Sequence, residues 1–405
     1  MHHRLVGFVL LVAFVWPRFS EAAHWPKSLL IWRDATEARP ADCEVVLLDA
    51  GPHDQLTNAA GGPQLDTLFV ATEPRRPSRD QRGSDQRPDR IARLIRHPSS
   101  TSFGPLEAFA FGTDLSVAPD GTRLLVTVTG RRFQLWDDLA ANSLPAMSQA
   151  VQPRVFSTPR WFGPEAILLH GMGGLYRFDL RNDRLIRVPI DDSIDSYHTA
   201  ALSTRRLAIF RAHHARTSPE ATYQPPAIFL LDLPPELPVG WSDEDFASQA
   251  EPDTVWKRMP SVEPKKTLLV DADAFNGQMP PGHRAAFFVT LRAAYGSEDL
   301  FLTCIEEASN GKLETLEGYP GEATIYRAPR LAESVWRVRP GERPQCLLRG
   351  PYGHYLRLKA AAADGSSLLL TAFLGRLPSG DGPTTSVPLT AESLLMPTGV
   401  HPLSE

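Results

Sequence analysis

The pattern of apolar and polar positions is clearest in residues 115–138, and it predicts a small antiparallel sheet. Leu124–Val128 is apolar or β-branched at every position, which is typical of a strand buried on both faces. A Pro-Asp-Gly run at 119–121 precedes it; Pro presets an early turn position and Gly accepts a positive φ. After a turn at Gly130, Phe133–Trp136 alternates apolar and polar residues. The stretch therefore predicts three strands joined by two tight turns.

The same unit, an apolar strand followed by a polar turn and another short strand, returns along the chain. Its starts lie about 40–55 residues apart, which is the spacing of four-stranded propeller blades. The interval between 228 and 300 is wide enough for a further unit, and Thr267–Val270 is a candidate strand for it. The recurring strands are at 133–136, 175–180, 228–233, 300–303, 335–338 and 356–360.

Two of these units carry a recognisable turn. Ser116–Val126 resembles the Ser-Pro-Asp-Gly repeat of the WD40-like, TolB-type β-propellers of bacteria, and Ala362–Leu370 is a second copy. Leu175–Val188 and Val335–Leu348 are similar to the hairpins that end such blades. The resemblance covers residues 100–375. It implies an all-β fold, a β-propeller of seven blades with six or eight as alternatives, each blade a four-stranded antiparallel sheet. Such a repeat specifies a fold and not an activity.

Closure of the ring has a physical reason. A single four-stranded blade cannot bury both faces and exposes its edges, whereas blades stacked around an axis bury the apolar runs. We therefore assign residues 24–375 to the propeller, with insertions at 73–90 and 234–266. One of the strand-like segments before residue 72 is expected to complete the last blade. The Pro/Ser/Thr/Gly-rich residues 376–405 are expected to form a loosely packed tail.

Residues 1–22 have the form of a secretory signal peptide. Leu5–Trp16 is a run of twelve mostly apolar residues, shorter than the roughly 20 residues that span a membrane. Pro17 ends the run, and small residues place cleavage after Ala22 or Ala23. An uncleaved anchor is the alternative. No later run reaches spanning length, so the sequence predicts a periplasmic or secreted protein without a transmembrane segment.

The charge pattern argues against nucleic acid and singles out one loop. The net charge of −5 offers no overall basic field. Residues 73–90 have no apolar residue except proline, and six arginines against four acids give them a local charge of +2. They are either a solvated insertion or a docking segment for an acidic partner. In the second case Arg75, Arg76 and Arg79 are candidate partner-binding residues.

The second insertion, residues 234–266, offers two further candidates. Ser242 starts a Ser-x-x-acid pattern that predicts a short helix over 243–250. Trp241 and Trp256 flank this helix. They either anchor a partner or hold the loop to its own domain.

Cysteines and histidines give no metal site. Cys304 and Cys346 could pair and leave Cys43 alone, or all three could be unpaired thiols; no spacing matches a zinc site. His213 and His214 end a strand, but adjacent strand residues point to opposite faces and are poorly placed to share one ion.

The motif search gives two hypotheses of function. No Gly-x-Ser-x-Gly elbow, His-Glu-x-x-His run, EF-hand or Walker loop is present, so no catalytic, cofactor or metal residue is assigned. The first hypothesis is an exported, non-catalytic β-propeller that binds a protein or peptide in the cell envelope as a monomer. The alternative is a lactonase- or lyase-like enzyme with its site at the mouth of the central channel. Three or more His, Asp or Glu side chains converging on the channel would favour the enzyme; apolar and backbone groups, with an exposed apolar patch at one rim, would favour binding.

Overall fold

The structure is a computed structural model. It describes residues 27–33, 43–48, 54–74, 90–95, 107–111, 114–128, 132–137, 157–171, 174–191, 194–212, 224–248, 255–311, 314–316, 325–351 and 354–374. The predicted signal peptide and the predicted tail from 376 lie outside the described residues.

The described residues form β-strands and three short helices. The strands are β1 (Lys27–Arg33), β2 (Cys43–Leu48), β3 (Asp54–Gly61), β4 (Thr67–Pro74), β5 (Arg90–Ile95), β6 (Glu107–Phe111), β7 (Asp114–Val117), β8 (Arg123–Val128), β9 (Arg132–Asp137), β10 (Ser157–Trp161), β11 (Ala166–Gly171), β12 (Gly174–Asp179), β13 (Arg184–Val188), β14 (Ile194–Ala201), β15 (Arg206–Arg211), β16 (Ala227–Asp232), β17 (Lys265–Asp271), β18 (His283–Ala293), β19 (Leu300–Ala308), β20 (Glu314–Leu316), β21 (Ile325–Arg327), β22 (Arg330–Val338), β23 (Gln345–Pro351), β24 (His354–Ala361) and β25 (Ser367–Leu374). The helices are α1 (Asp243–Ala247), α2 (Val255–Arg258) and α3 (Ala272–Asn276).

The strands pair into antiparallel sheets that follow one another in a ring. In the described part of the chain there are five four-stranded sheets, one three-stranded sheet and the two-stranded hairpin β20–β21. We number the larger sheets as blades: blade 1 is β3–β6, blade 2 is β7–β9, blade 3 is β10–β13, blade 4 is β14–β17, blade 5 is β18, β19, β22 and β23, and blade 6 is β24, β25, β1 and β2. The first strand of each blade contacts the first strand of the next, and β24 contacts β3. This arrangement is a β-propeller, and the predicted all-β fold is confirmed.

The N-terminal strands close the ring. β1 pairs with β25, with Leu30 opposite Leu370, and β2 pairs with the other edge of β1. Strands from both ends of the chain therefore share blade 6, as expected for a strand segment before residue 72. The later segment at 67–71 instead belongs to β4 of blade 1.

Seven blades are not confirmed, because the described strands form six. The segment at 267–270, read from the sequence as a strand of a hidden unit, lies in β17, which pairs with β16 as the outer strand of blade 4. The insertion between these two strands lengthens one blade and produced the wide interval in the repeat.

One hydrogen-bonded turn follows the first strand of every blade. We call these six turns the inner turns. In each, the backbone N–H of the residue after the first strand donates to a carbonyl at the start of the second strand, at 2.8–3.0 Å. The acceptor is the first residue of the second strand in five turns and the residue just before it, Asp299, in blade 5. The donor and acceptor pairs are Gly62 and Thr67, Ala118 and Arg123, Phe162 and Ala166, Leu202 and Arg206, Ala294 and Asp299, and Ala362 and Ser367. The Pro-Asp-Gly turn and its second copy are thus confirmed as two members of a set of six.

Apolar faces of neighbouring blades pack against each other. Between blades 4 and 5, one buried cluster joins Phe210 and Ile228 to Leu302 and Trp336. Equivalent clusters lie between blades 1 and 2, 2 and 3, and 3 and 4. Leu124–Val126 are buried in blade 2, as the apolar run predicts. Each blade therefore loses its core if its neighbour is removed.

The insertion between β16 and β17 covers the outer edge of blade 3. The Leu185 N–H donates to the Trp241 carbonyl at 2.9 Å, and the Trp241 N–H donates back at 3.0 Å. Ser242 caps α1 through a capping box with Asp245, so the predicted helix is confirmed but ends at 247. Because an unpaired edge strand is open to pairing with another chain, this cover protects β13.

The cysteine alternatives are resolved for two of the three residues. Cys304 in β19 and Cys346 in β23 are free thiols. β22 lies between these strands, which places them about 9–10 Å apart and beyond the reach of a disulfide. Burial raises the pKa of the Cys346 thiol to about 12 and that of Cys304 well above its ordinary value. The side chain of Cys43 lies outside the described residues.

Gly121 in the blade 2 inner turn and Gly341 in the turn between β22 and β23 make a testable contrast. Gly121 has φ +75° and a Cβ there would lie 2.8 Å from Cδ of Pro63 in the neighbouring inner turn, whereas Gly341 has φ +77° and no atom within 4 Å of the same position. We expect Gly341→Ala to cost about 1 kcal/mol from the left-handed backbone alone. Gly121→Ala should cost about 1–2 kcal/mol more, because the blade 1 turn must shift. Urea denaturation measures both; equal losses would show that the inner turns do not press on one another.

Candidate binding site at the central channel

The first strand of each blade is its inner strand. The six inner strands end around one small cavity, which we call the channel mouth. It has a volume of about 140 Å³ and is lined by residues from the first strand of every blade and from the inner turns. Most of the lining is alanine, glycine, proline and backbone. The polar or charged lining residues in the described part of the chain are Ser116, Arg160, Thr199, Arg292, Tyr295 and Lys359.

Residue size at one repeated position shapes the mouth. Two residues before the N–H donor of each inner turn, four blades carry a small residue and two carry arginine. In blade order the residues are Ala60, Ser116, Arg160, Ala200, Arg292 and Ala360. The two arginines thus stand in blades 3 and 5, on either side of an alanine in blade 4.

Backbone carbonyls orient the arginines. The Nε of Arg292 donates to the carbonyl of Lys359 at 2.7 Å, and its Nη1 donates to the carbonyl of Leu291 at 2.7 Å. The Nη1 of Arg160 donates to the carbonyl of Pro159 at 3.0 Å. Carbonyl acceptors fix a guanidinium without cancelling its charge. Arg160, Arg292 and Lys359 are the positively charged side chains among the described lining residues.

Two of the described inner-turn carboxylates are held by hydrogen bonds within their own turns. Asp120 accepts hydrogen bonds from the N–H and hydroxyl of Thr122. Asp364 accepts from the hydroxyl and N–H of Ser366, and these bonds lower its pKa. Neither carboxylate is among the residues that line the mouth, so the lining and the turns differ in charge.

Contacts between blades surround the mouth. The indole N–H of Trp161 in blade 3 donates to the carbonyl of Ser116 in blade 2 at 2.8 Å. The N–H of Gly296 in blade 5 donates to the carbonyl of Leu202 in blade 4 at 3.0 Å. The hydroxyl of Tyr295, in blade 5, reaches the inner turn of blade 3. It lies 2.8 Å from the position that a Cβ on Gly163 would take. The cavity is thus built into the fold.

The partner-binding residues named from the sequence do not line this mouth. Trp241 packs edge-on against Phe246 with ring centroids 5.2 Å apart. The guanidinium of Arg187 stands 5.4 Å from the ring centroid of Trp256, and both tryptophans are half-buried against the core shared by blades 2 and 3. Arg75, Arg76, Arg79 and the His213–His214 pair lie outside the described residues.

A buried polar network in blade 5 is the other concentration of chemistry. The Ser334 hydroxyl donates to Glu306 at 2.5 Å and accepts from the indole of Trp336, while Arg349 and the Nδ1 of His283 bind the same carboxylate at 2.8–3.1 Å. Burial alone would raise the pKa of Glu306, but these bonds and the arginine charge outweigh it and lower the pKa. In a nucleophilic triad the histidine stands between hydroxyl and carboxylate; here the carboxylate stands between them. The network holds the four strands of blade 5 together.

The described lining of the mouth holds none of the His, Asp or Glu side chains that would favour an enzyme. Within the described residues, no three His, Cys, Asp or Glu side chains form a group that could hold a metal ion. The exposed large apolar side chains in the described part are Val239 and Leu268, and neither is at the mouth. No helix found in the described ranges has the length and apolarity to span a membrane. No sequence motif had pointed to the basic lining residues Arg160, Arg292 and Lys359.

Fold and site together define the chain as a β-propeller with a small cationic channel mouth. Comparison with solved structures returns propellers. A protein assigned as TolB from Agrobacterium tumefaciens aligns over 87% of this chain and 99% of its own, with 11% identity and a TM-score of 0.46. The WD40 repeats of RRP9 align over 87% and 93%, with 10% identity and a TM-score of 0.39. An oligogalacturonate lyase from Vibrio parahaemolyticus aligns over 82% and 80%, with 8% identity and a TM-score of 0.37.

These likenesses concern the fold alone. The divergent propeller repeat recognised in the sequence is supported by the ring of sheets and by the inner turns that its Asp-Gly pairs form. No protein-family model and no curated protein sequence matches the chain. The function is therefore argued from the site.

Asp299 ties the blade 5 inner turn to its sheet and gives a pH-dependent prediction. Burial alone would raise its pKa, but hydrogen bonds from Arg339 and Arg337, both at 2.9 Å, outweigh it and hold the pKa below the ordinary 3.8. The carboxylate therefore stabilises the fold above pH 3.8, and this stabilisation is lost as pH falls through the lowered pKa.

We expect Asp299→Asn to cost about 2 kcal/mol of unfolding free energy at pH 7. The difference from wild type should shrink below pH 3.8. The exposed Asp183→Asn, in the turn between β12 and β13, is the matched control. Urea denaturation between pH 3 and 7 measures all three proteins; a loss that is independent of pH would show that the charge of Asp299 contributes nothing.

Proposed function

We propose that this chain is an exported, non-catalytic peptide- or protein-binding module of the cell envelope that engages its partner at the channel mouth. The observation that supports this most directly is the mouth itself, a preformed cavity to which all six blades contribute. Preformed cavities bind without a reorganisation cost. Export is supported by the signal-like residues 1–22. We propose that the module acts as a monomer.

The size of the cavity indicates what part of a partner it takes. Pockets for drug-sized ligands measure about 300–1,000 Å³, whereas a cavity of about 150 Å³ holds one benzene. At about 140 Å³ the mouth has room for a single side chain or a chain end. A partner would insert that group and rest its remaining surface on the six inner turns.

A contact role for the residues named from the sequence stays a prediction. Arg75, Arg76 and Arg79 belong in sequence to the segment between β4 and β5 and lie outside the described residues. Trp241 and Trp256 stand at the outer edge of blade 3. Either set would be a second contact, separate from the mouth.

Blocking the mouth tests the proposal. Ala363 is exposed and lines the mouth, so Ala363→Trp should place an indole over the cavity without disturbing the core. Peptides selected from a random display library on the wild-type protein should bind Ala363→Trp at least about tenfold more weakly, which is one contact of about 1.4 kcal/mol. Fluorescence anisotropy gives both dissociation constants.

The control carries the same new side chain elsewhere. Lys265 is exposed on β17, the outer strand of blade 4, and Lys265→Trp should bind the selected peptides as wild type does. Equal binding by Ala363→Trp and wild type would place the binding surface away from the mouth and contradict the proposal.

A further inference from the structure

Three hydroxyl groups line the channel mouth without a hydrogen bond to the rest of the chain. Ser116 belongs to the inner strand of blade 2, Thr199 to that of blade 4 and Tyr295 to the inner turn of blade 5. In the part of the chain that the structure describes, none of the three hydroxyls donates to or accepts from another residue. We infer that the channel mouth recognises a primary amide, the group that ends an asparagine or glutamine side chain. The inference rests on the proposed function for one point only, that the amide belongs to a peptide or protein.

Hydroxyl groups in comparable places of the ring are paired. Thr290, on the inner strand of blade 5, donates to the hydroxyl of Thr303 on the next strand at 2.8 Å. The hydroxyls of Thr122 and Ser366 bind the aspartates of their own inner turns. A polar group that leaves water costs free energy unless it finds a partner. The three mouth hydroxyls are instead reachable from solvent, so a ligand in the cavity can supply the partner that the chain does not.

The basic side chains of the lining are engaged within the protein. Arg160 and Arg292 donate to backbone carbonyls, and Lys359 interacts with another residue of the chain. A carboxylate in the cavity would therefore depend on the hydroxyls, and a charge buried against neutral groups is costly. A cationic side chain of a partner would find no acceptor on the basic residues, whose side chains only donate. The groups left to a ligand thus favour a neutral one.

A primary amide matches what the hydroxyls offer. Each hydroxyl can both donate and accept a hydrogen bond, and an amide carries an acceptor oxygen beside two N–H donors. Burial raises the pKa of Tyr295, so its hydroxyl keeps its proton at neutral pH and can donate. Because the hydroxyls come from three blades, they approach an amide at the axis from different sides. An apolar side chain of the same length would leave all of them unpaired.

The fold holds one of these hydroxyls in place before a ligand arrives. The Tyr295 oxygen lies 2.8 Å from the position that a Cβ on Gly163 would take, so the ring rests on the inner turn of blade 3. The N–H of the next residue, Gly296, donates to the carbonyl of Leu202 in blade 4. A group that is already ordered adds little entropy cost to binding. Alanine, glycine and proline elsewhere in the lining leave room for the methylene groups that precede the amide.

Three small probes test the inference on the protein without residues 1–22. They are the N-acetyl N-methylamides of glutamine, glutamate and methionine, whose side chains have similar lengths and end in an amide, a carboxylate and an apolar thioether. Ligand-observed NMR titration at pH 7 and constant ionic strength gives their dissociation constants. We expect the glutamine probe to bind at least about tenfold more tightly than either of the others, because a site built on hydrogen bonds rejects analogues that leave its groups unpaired.

Removal of single hydroxyls locates the binding. Thr199→Val and Tyr295→Phe keep the shape of the side chain, and each should weaken the glutamine probe about five- to tenfold. Their melting temperatures, followed by circular dichroism, should equal that of wild type, because these hydroxyls bind nothing else in the described chain. The matched control is Thr290→Val, which leaves Thr303 unpaired. It should lower the melting temperature and leave the affinity for the glutamine probe unchanged.

The outcomes separate this inference from the proposed function. A glutamate or methionine probe that binds as tightly as the glutamine probe would overturn the inference. So would full affinity in both Thr199→Val and Tyr295→Phe, or melting temperatures lowered in both as far as in Thr290→Val, since the hydroxyls would then serve the fold. In each case, selected peptides blocked by Ala363→Trp would still support a peptide module. An amide preference that both variants weaken would support the inference even if no library peptide bound.

Discussion

The pairing of β1 with β25 is the interaction on which the rest of the structure depends. It joins the two ends of the chain in one sheet, so that blade 6 is built from two C-terminal and two N-terminal strands. Without it the last blade has an open edge at β25, and the two ends of the chain are no longer held in one sheet. Because each blade buries its apolar face only against the next, closure makes the stability of every blade depend on the whole ring.

Closure also creates the channel mouth. Once the inner strands stand around an axis, the inner turns that follow them meet at one end. There is little room at the axis for six side chains at the same height, and four of the six equivalent positions hold alanine or serine. The arginines at the other two positions fit because Ala200 separates them along the ring. Fold and site are thus two consequences of one geometry.

How much the sequence predicts depends on whether a feature needs a particular side chain. The Asp-Gly turns at 120–121 and 364–365 need glycine, since Gly121 and Gly365 have positive φ, and from them the propeller could be recognised. The blade 4 turn after Leu202 has lost both residues, yet it closes with the same backbone hydrogen bond. A backbone bond leaves no signature in the sequence, so the repeat could be followed in only part of the chain.

The preference for seven blades over the alternative of six and the failure to predict the site have related reasons. The long insertion before β17 separates the outer strand of blade 4 from its sheet and imitates an extra unit. Arg160, Arg292 and Lys359 lie in three strands with no shared motif, and only the ring brings them together. The one available signal was their place just before an inner turn, and it required the turns to be aligned first. Local patterns therefore gave the sheet, while the assembly of sheets was needed for the site.

Charged side chains, like the apolar clusters, join neighbouring strands and blades of the ring. In blade 5, buried carboxylates are matched within the sheet or across to the next blade: Glu307 to Arg284, and Glu333 to Arg357 of blade 6. These pairs compensate the cost of burying charge. At the mouth a cation joins blades as well: the Nε of Arg292 in blade 5 donates to the carbonyl of Lys359 in blade 6 while the side chain lines the cavity. The contacts that close the ring and the residues that shape the mouth are therefore partly the same.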